Sequence, residues 1–185
     1  VGRTGGLPHV GVAWYRCRLN IPASAAGRRI FIEFDGVMSH STVYMDGMEI
    51  GSWPYGYASF CFELTDAVEP GGENVLAVRV ENPPCASRWY PGAGIYRHVR
   101  LVTVHPLHVG HWGTCVTTPT VSAESAAVNV RTTVINQGPE SVHGELQTRL
   151  FDPSGAEVAV EKQPLDVDTE AAMEQTFMVS QPVLW

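Results

Sequence analysis

Residues 30–50 carry the reading of the fold: Ile30-Phe31-Ile32-Glu33-Phe34-Asp35-Gly36, a short polar stretch, then Thr42-Val43-Tyr44-Met45-Asp46-Gly47-Met48-Glu49-Ile50. Asp-Gly between two β-rich runs is the strongest short hairpin signal, because both turn positions want positive φ. Ile30 to Phe34 reads as a further strand, closed by Asp35-Gly36. Working outward, Trp14 to Ile21 alternates large apolar with polar residues at period two, which predicts a strand with one face buried. Pro22 ends it, since proline cannot donate to a ladder. Ser59 to Leu64 predicts another strand. Asn74 to Val80 is a strand entered through the Pro70-Gly71-Gly72 turn, and Gly94 to Val104 reads as one long apolar run interrupted by Arg97, His98 and Arg100. No convincing helical period competes. Short strands punctuated by Gly and Pro predict a sandwich or jelly roll.

Near Pro106 the composition changes from Trp, Tyr and Phe to Val, Thr, Ser and Ala. Beyond it, Val128 to Asn136, Gly144 to Phe151, Val158 to Glu161 and Met173 to Val179 read as strands, with Asp152-Pro153-Ser154-Gly155 as a turn. About 75 residues of this kind suit an immunoglobulin-like sandwich, for which about 100 residues and seven strands are typical; Trp185 comes early for a complete one. The expected organisation is therefore all-β, with residues 1–106 a jelly-roll domain and residues 107–185 an immunoglobulin-like β-sandwich domain. No internal repeat or low-complexity tract is present.

The chain has 185 residues, 44% hydrophobic and 17% charged, with a formal net charge of -7. Such a chain is globular rather than disordered. The acidic balance leaves no basic footprint for nucleic acid or an anionic membrane. No apolar run approaches the roughly 20 residues of a membrane-spanning helix. No secretory signal is visible in the polar, Gly-rich start, but a trimmed product looks the same, so the compartment stays open, with a periplasmic or secreted parent as the candidate.

Cys17, Cys61, Cys85 and Cys115 show no CxxC spacing, which argues against a zinc site. Buried, reduced thiols are expected for Cys17 and Cys61, with one disulfide left open by the spacing. His105, His108 and His111 invite a metal reading, but a spacing of three sends successive side chains to opposite faces of a strand, so polar linker histidines are expected. Glu33 and Asp35 share a strand face, which a solvated outer surface explains. Glycoside hydrolysis requires two carboxylates held across a sugar, and no pair is recognisable. No nucleophile elbow, phosphate loop or dinucleotide fingerprint is present either. No catalytic residue, metal or cofactor is expected of this chain.

The most informative stretch for binding is Ser87-Arg88-Trp89-Tyr90-Pro91-Gly92-Ala93-Gly94-Ile95-Tyr96-Arg97. It sets a cation and two aromatics against a Pro-Gly turn before a strand. Aromatic faces stack on the apolar faces of sugar rings, and arginine donates paired hydrogen bonds. A sugar-contacting loop tip is one reading; a cap on the sandwich core by Trp89 and Tyr90 is the other. Arg97 is expected to be structural, pairing with a buried carboxylate or carbonyl groups.

Ala13-Trp14-Tyr15-Arg16, Phe34-Asp35-Gly36-Val37, Val43-Tyr44-Met45-Asp46-Gly47, Gly56-Tyr57, Gly72 to Val80 and Ala93-Gly94-Ile95-Tyr96-Arg97, in this order and spacing, resemble the N-terminal sugar-binding jelly roll of family 2 glycoside hydrolases, the β-galactosidase/β-glucuronidase family. Thr118-Pro119 and the Val128 to Asn136 strand are similar to the immunoglobulin-like second domain of that family. The resemblance implies a galactose-binding-like jelly roll, lacking its first strand, that shapes the sugar site of an O-glycosyl hydrolase of the β-galactosidase kind. It implies substrate-binding roles for Arg88, Trp89 and Tyr90 in the loop before Gly-Ile-aromatic-Arg. It adds His9 as a further candidate, beside the plainer reading of an ordinary loop histidine. Some members carry Asp where Arg88 stands, so an anionic or substituted sugar is implied rather than plain galactose. The catalytic glutamates of the family lie in a following barrel, one of them directly after an Asn. This sequence contains no Asn-Glu pair, so hydrolysis by the chain alone is not expected. The expected partners are a carbohydrate substrate and the catalytic barrel of the parent chain, itself a candidate homo-oligomer; a nucleic acid or membrane partner is not expected. A free-standing carbohydrate-binding module and a structural or adhesion module are the competing classes. The first needs several exposed stacked aromatics on one face, whereas the aromatics here are expected to lie in the core.

Overall fold

A computed structural model describes residues 11–83 and 93–184. The described residues form strands and two short 3-10 turns, Ala23–Ala25 and Thr65–Ala67, with no α-helix. The fold is all-β, a jelly-roll sandwich followed by an immunoglobulin-like sandwich. Contacts divide the chain into two compact units, Val1–His105 and Pro106–Trp185. Among the described residues, no helix is long and apolar enough to cross a membrane.

The first unit contains β1 (Gly11–Asn20), β2 (Arg29–Phe34), β3 (Val37–Met38), β4 (Ser41–Met45), β5 (Met48–Trp53), β6 (Phe60–Glu63), β7 (Glu73–Asn82), β8 (Gly94–Ile95) and β9 (Val99–Val104). One sheet runs β1-β7-β4-β5 and the other β6-β2-β9, with a small β3-β8 pair between neighbouring loops. All pairs are antiparallel. The Asp46-Gly47 turn has φ of 49 and 87, the left-handed pair that a two-residue hairpin requires. Asp46 also docks that turn, its Oδ1 accepting from Val75 N–H at 2.8 Å. The period-two pattern decides the core: Ile30, Ile32 and Phe34 of β2 face Val43 and Met45 of β4 and Leu76, Val78 and Val80 of β7, all nearly inaccessible. Phe34 stacks on Phe60 with centroids 4.8 Å apart. Asn74, fully buried, ties off the turn before β7: its Oδ1 accepts from Glu69 N–H at 2.7 Å and its amide donates to the Glu69 and Gly72 carbonyls.

The second unit contains β10 (Leu107–Val121), β11 (Ser125–Asn136), β12 (Val142–Phe151), β13 (Glu157–Val167) and β14 (Glu170–Ser180), in sheets β10-β11-β14 and β12-β13. Val134, Leu165 and Val167 centre its core, with Leu107, Leu146, Ala171 and Met173 around them. Thr148 of β12 donates to Oε1 of buried Gln175 on β14, a polar contact between the two sheets. Asn136, 5% exposed, gathers one end: its amide donates to the carbonyls of Glu140, Asp168 and Val167, and its Oδ1 accepts from Gly138 N–H.

Several expectations need correction. Gly94 to Val104 is two strands, because Tyr96 to His98 leave the ladder. The Tyr96 hydroxyl donates to Gly56 O at 2.8 Å, and His98 O accepts from Asp35 N–H. His108 and His111 are not linker residues but belong to β10, where His111 stacks on Trp112 at the bulge. Cys17 is exposed, since β1 lies at a sheet edge; Cys61 is half-buried, and Cys115 is exposed. Burial, reinforced by Glu33 and Glu63, pushes the Cys61 thiol up to about 11. The aromatics are core residues only in part: Phe34 and Phe60 are, but Trp14, Tyr55, Tyr57 and Trp112 are more than half exposed.

Among the described residues, one edge of the first sandwich is left uncovered. Register places Tyr15 and Cys17 of β1 opposite core residues Val78 and Leu76, and Val99 and Leu101 of β9 opposite Phe34 and Ile32. These four side chains thus point inward, yet each remains exposed. A hollow of about 250 Å³ lies beside them, reaching in to Phe34 and Val78.

Candidate functional site

The candidate binding residues His9, Arg88, Trp89 and Tyr90, together with Cys85, lie outside the described residues. What is described is the framework on either side of residues 84–92. The chain leaves it after β7, whose last residue Asn82 is buried and paired with Gly11, and returns through β8. The return is pinned on both sides. Met38 pairs with Gly94 and Val37 with Ile95. Ser39 exchanges backbone hydrogen bonds with Glu81, at 2.9 and 3.4 Å, and its hydroxyl donates to Glu81 O as well. Buried Ser39 therefore joins the departing strand to the strand that receives the returning one.

Next to this junction sits the β5–β6 loop with exposed Tyr55 and Tyr57, whose rings meet edge-on at 5.7 Å. The loop is held by His40 N–H donating to Pro54 O and by Tyr96 donating to Gly56 O. His40 itself is exposed, with φ of 41. One end of the sandwich thus presents His40, Tyr55, Tyr57 and Tyr96 around the roots of the 84–92 loop. Sequence reading singled out residues 84–92 but did not group these neighbours, because folding gathers them through His40 to Pro54 and, 40 residues apart, Tyr96 to Gly56.

Gly94 sits at the centre of the junction. Its φ is +104, which L side chains rarely adopt, and an added Cβ would run into the Tyr15 hydroxyl. Gly94→Ala is expected to cost about 1–3 kcal/mol, by analogy with other enforced backbone strain. Adding Tyr15→Phe should recover part of that loss, by removing the oxygen but not the φ penalty. Urea unfolding of the single and double variants measures both parts; equal stability of all three would show that the junction does not need the glycine.

The charges nearby differ from expectation. Asp35 is not a freely solvated carboxylate: Arg100 Nη1 donates to its Oδ1 at 2.7 Å, and His98 Nδ1 stands 3.7 Å from its Oδ2. The Arg100 hydrogen bond holds the Asp35 carboxyl below its ordinary value of 3.8, against the opposing effect of desolvation. Arg97, expected to make the structural ion pair, is exposed and contributes only a more distant positive potential at Asp35. The contact belongs to Arg100, three residues on, because β9 pairs Arg100 with Glu33 beside Asp35.

A family profile described as glycosyl hydrolase 2 galactose-binding domain-like matches residues 10–90, and one described as glycosyl hydrolases family 2 matches residues 112–185. The chain is 41% identical over 187 residues to Beta-galactosidase BoGH2A of Bacteroides ovatus, covering 100% of this chain and 22% of that protein. It is 32% identical to a Beta-glucuronidase of Formosa agariphila, covering 95% of this chain and 20% of that one. Among solved structures, a glycosyl hydrolase family 2 member from Bacteroides cellulosilyticus superposes with a TM-score of 0.90 at 36% identity, over 96% of this chain and 25% of that one. The chain thus spans about a quarter or less of the length of these relatives.

Proposed function

From the premise that this chain belongs to glycoside hydrolase family 2, we propose that its first domain forms one wall of a sugar-binding site for hydrolysis of O-glycosyl bonds, and that its second domain is a spacer. The observation that carries the reading is the rigid end of the first sandwich. Ser39, Gly94 and Tyr96 hold the residues that flank segment 84–92, the segment whose sequence contains Arg88, Trp89 and Tyr90. Binding groups placed by rigid elements lose little entropy on engaging a ligand.

In this reading Trp89 and Tyr90 stack on the terminal sugar and Arg88 donates to its polar substituent. His9 contributes from the segment before β1. The acid and nucleophile carboxylates belong to further chain of the parent protein. The named activities of the relatives, Beta-galactosidase and Beta-glucuronidase, support a β-linked hexose or hexuronate as substrate class. Arg88 favours an anionic or substituted sugar, since a guanidinium matches a carboxylate in two-point geometry.

The test is calorimetric titration of the 185-residue chain with galactose, glucuronate and a β-galactoside, beside assays of the parent polypeptide carrying Arg88→Ala or Trp89→Ala. The expected result is weak or no binding by the chain alone, hydrolysis by the parent, and at least about a tenfold fall in kcat/KM in each variant, about 1.4 kcal/mol of transition-state stabilisation. Tight binding by the chain alone that Arg88→Ala abolishes would make it a self-sufficient carbohydrate-binding module. Unchanged kcat/KM in both variants would remove the loop from the site.

A further inference from the structure

We propose that the outer face of the β1-β7-β4 sheet, away from the loop end, is a second binding site, and that it takes a neutral sugar ring of a glycan chain. The face is built by register. On β7, Val75 and Ala77 point outward, and both are small. Arg16 of β1 and Tyr44 of β4 flank Ala77 directly, Trp14 stands one row away, and Asp46 follows at the hairpin turn beside Val75. A low floor between tall walls makes a basin of about 620 Å³, within the ordinary size of small-ligand sites.

Its walls have the chemistry of sugar recognition. Trp14 is 59% exposed, although it sits in a regular strand, and its indole is steadied by Tyr44 at 5.5 Å. An exposed, fixed aromatic face stacks on the apolar face of a sugar ring. Arg18 and Arg79 on the same face have carboxylate neighbours, Glu73 and Glu81, but Arg16 has none among the described residues. Asp46 spends Oδ1 on Val75 N–H, and its other oxygen remains an acceptor in an already fixed turn. The basin therefore offers one apolar plate, one donor and one acceptor.

That combination selects the ligand class. An anion meets Asp46, and a cation meets Arg16. An apolar peptide leaves both charged groups without partners, which is costly. A ring with an apolar face and hydroxyls that both donate and accept satisfies all three. The basin is open, so neighbouring units of a chain continue past it.

The test uses this chain, isotope-labelled, with β-1,4-linked galactotetraose and cellotetraose as neutral probes and tetragalacturonate as the charged comparison. A neutral tetrasaccharide should shift the Trp14 indole N–H and the Val75 and Ala77 amides saturably. Trp14→Ala, Arg16→Gln and the floor-filling Ala77→Leu should each weaken binding about tenfold or more. Arg16→Gln, an exposed polar exchange, should leave the melting temperature unchanged and so keeps the test free of folding effects. Arg88→Ala should leave this binding unchanged, which separates it from the loop site. Absence of a saturable shift, equal binding by the Trp14 and Arg16 variants, or preference for tetragalacturonate would overturn the proposal. So would protection of Trp14 from hydroxyl-radical oxidation in the parent polypeptide, which would mean that other parts of that chain cover the face.

Discussion

Phe34→Ala is expected to destabilise the first domain by about 3–5 kcal/mol, the range for deleting a large buried aromatic. Phe34 is fully buried, and its ring stacks on Phe60 in an aromatic series that continues to Trp53 and Phe62. Truncation removes both the transfer energy and the stacking contact. The site cannot close easily over the gap, because the 250 Å³ hollow at the open edge already reaches Phe34. Phe34→Leu, which keeps much of the volume, should lose markedly less. Urea titration followed by tryptophan fluorescence measures the difference. A loss under about 1 kcal/mol for Phe34→Ala would mean that the sandwich collapses onto the site after all.

Asn136→Ala is expected to cost the second domain about 2–4 kcal/mol, since each buried polar group left without its partner costs about 1–3. One amide serves the carbonyls of Glu140, Asp168 and Val167, at 2.7, 3.0 and 3.2 Å, and its oxygen holds Gly138 N–H at 3.0 Å. These contacts tie the end of β11 to the β13–β14 turn. Asn136→Asp separates donor from acceptor roles. At neutral pH the carboxylate would face three carbonyl oxygens, so the loss should be at least as large as for alanine. A carboxyl in that setting holds its proton more tightly in the folded than in the unfolded state. Its contribution is then greatest below the ordinary carboxylate range and is lost as pH rises. The Asp variant should therefore recover stability between about pH 7 and pH 4 relative to the Ala variant. Parallel pH dependence of the two variants would show that the amide donors are not what matters.

The jelly-roll strands were legible because Ile30 to Phe34 and Thr42 to Ile50 combine clean alternation with turn residues whose φ is positive as required. β10 was not legible at all. Gly110, Gly113 and Pro119 interrupt its pattern, and register shifts after Val109 and Thr117 keep its side chains out of period. The two-residue strand β3 was missed for want of length. Trp14 shows a different limit: alternation tells which residues share a face, but not that the strand lies at a sheet edge with both faces wet. The paired asparagines Asn74 and Asn136 lie beyond sequence reading for a third reason. Asparagine is depleted in strands, and only the folded loops bring the carbonyls that make it indispensable there. Of the candidate site, residues 84–92 stand out by their chemistry and lie outside the described residues, while the His40, Tyr55 and Tyr96 surroundings exist only through long-range pairing.

Among the described residues, the seam between β1 and β9 is the place where the first sandwich exposes inward-pointing apolar side chains. Edge strands whose inward side chains are apolar invite another chain to add a strand, and proteins blunt such edges with charge. Along β9 the only cation is Arg100, and Asp35 holds it in place rather than leaving it to repel a neighbour. The net charge of -7 is spread over the whole chain and is not concentrated along this edge. A strand added at this edge would meet Val99 and Leu101, both exposed on its inward face.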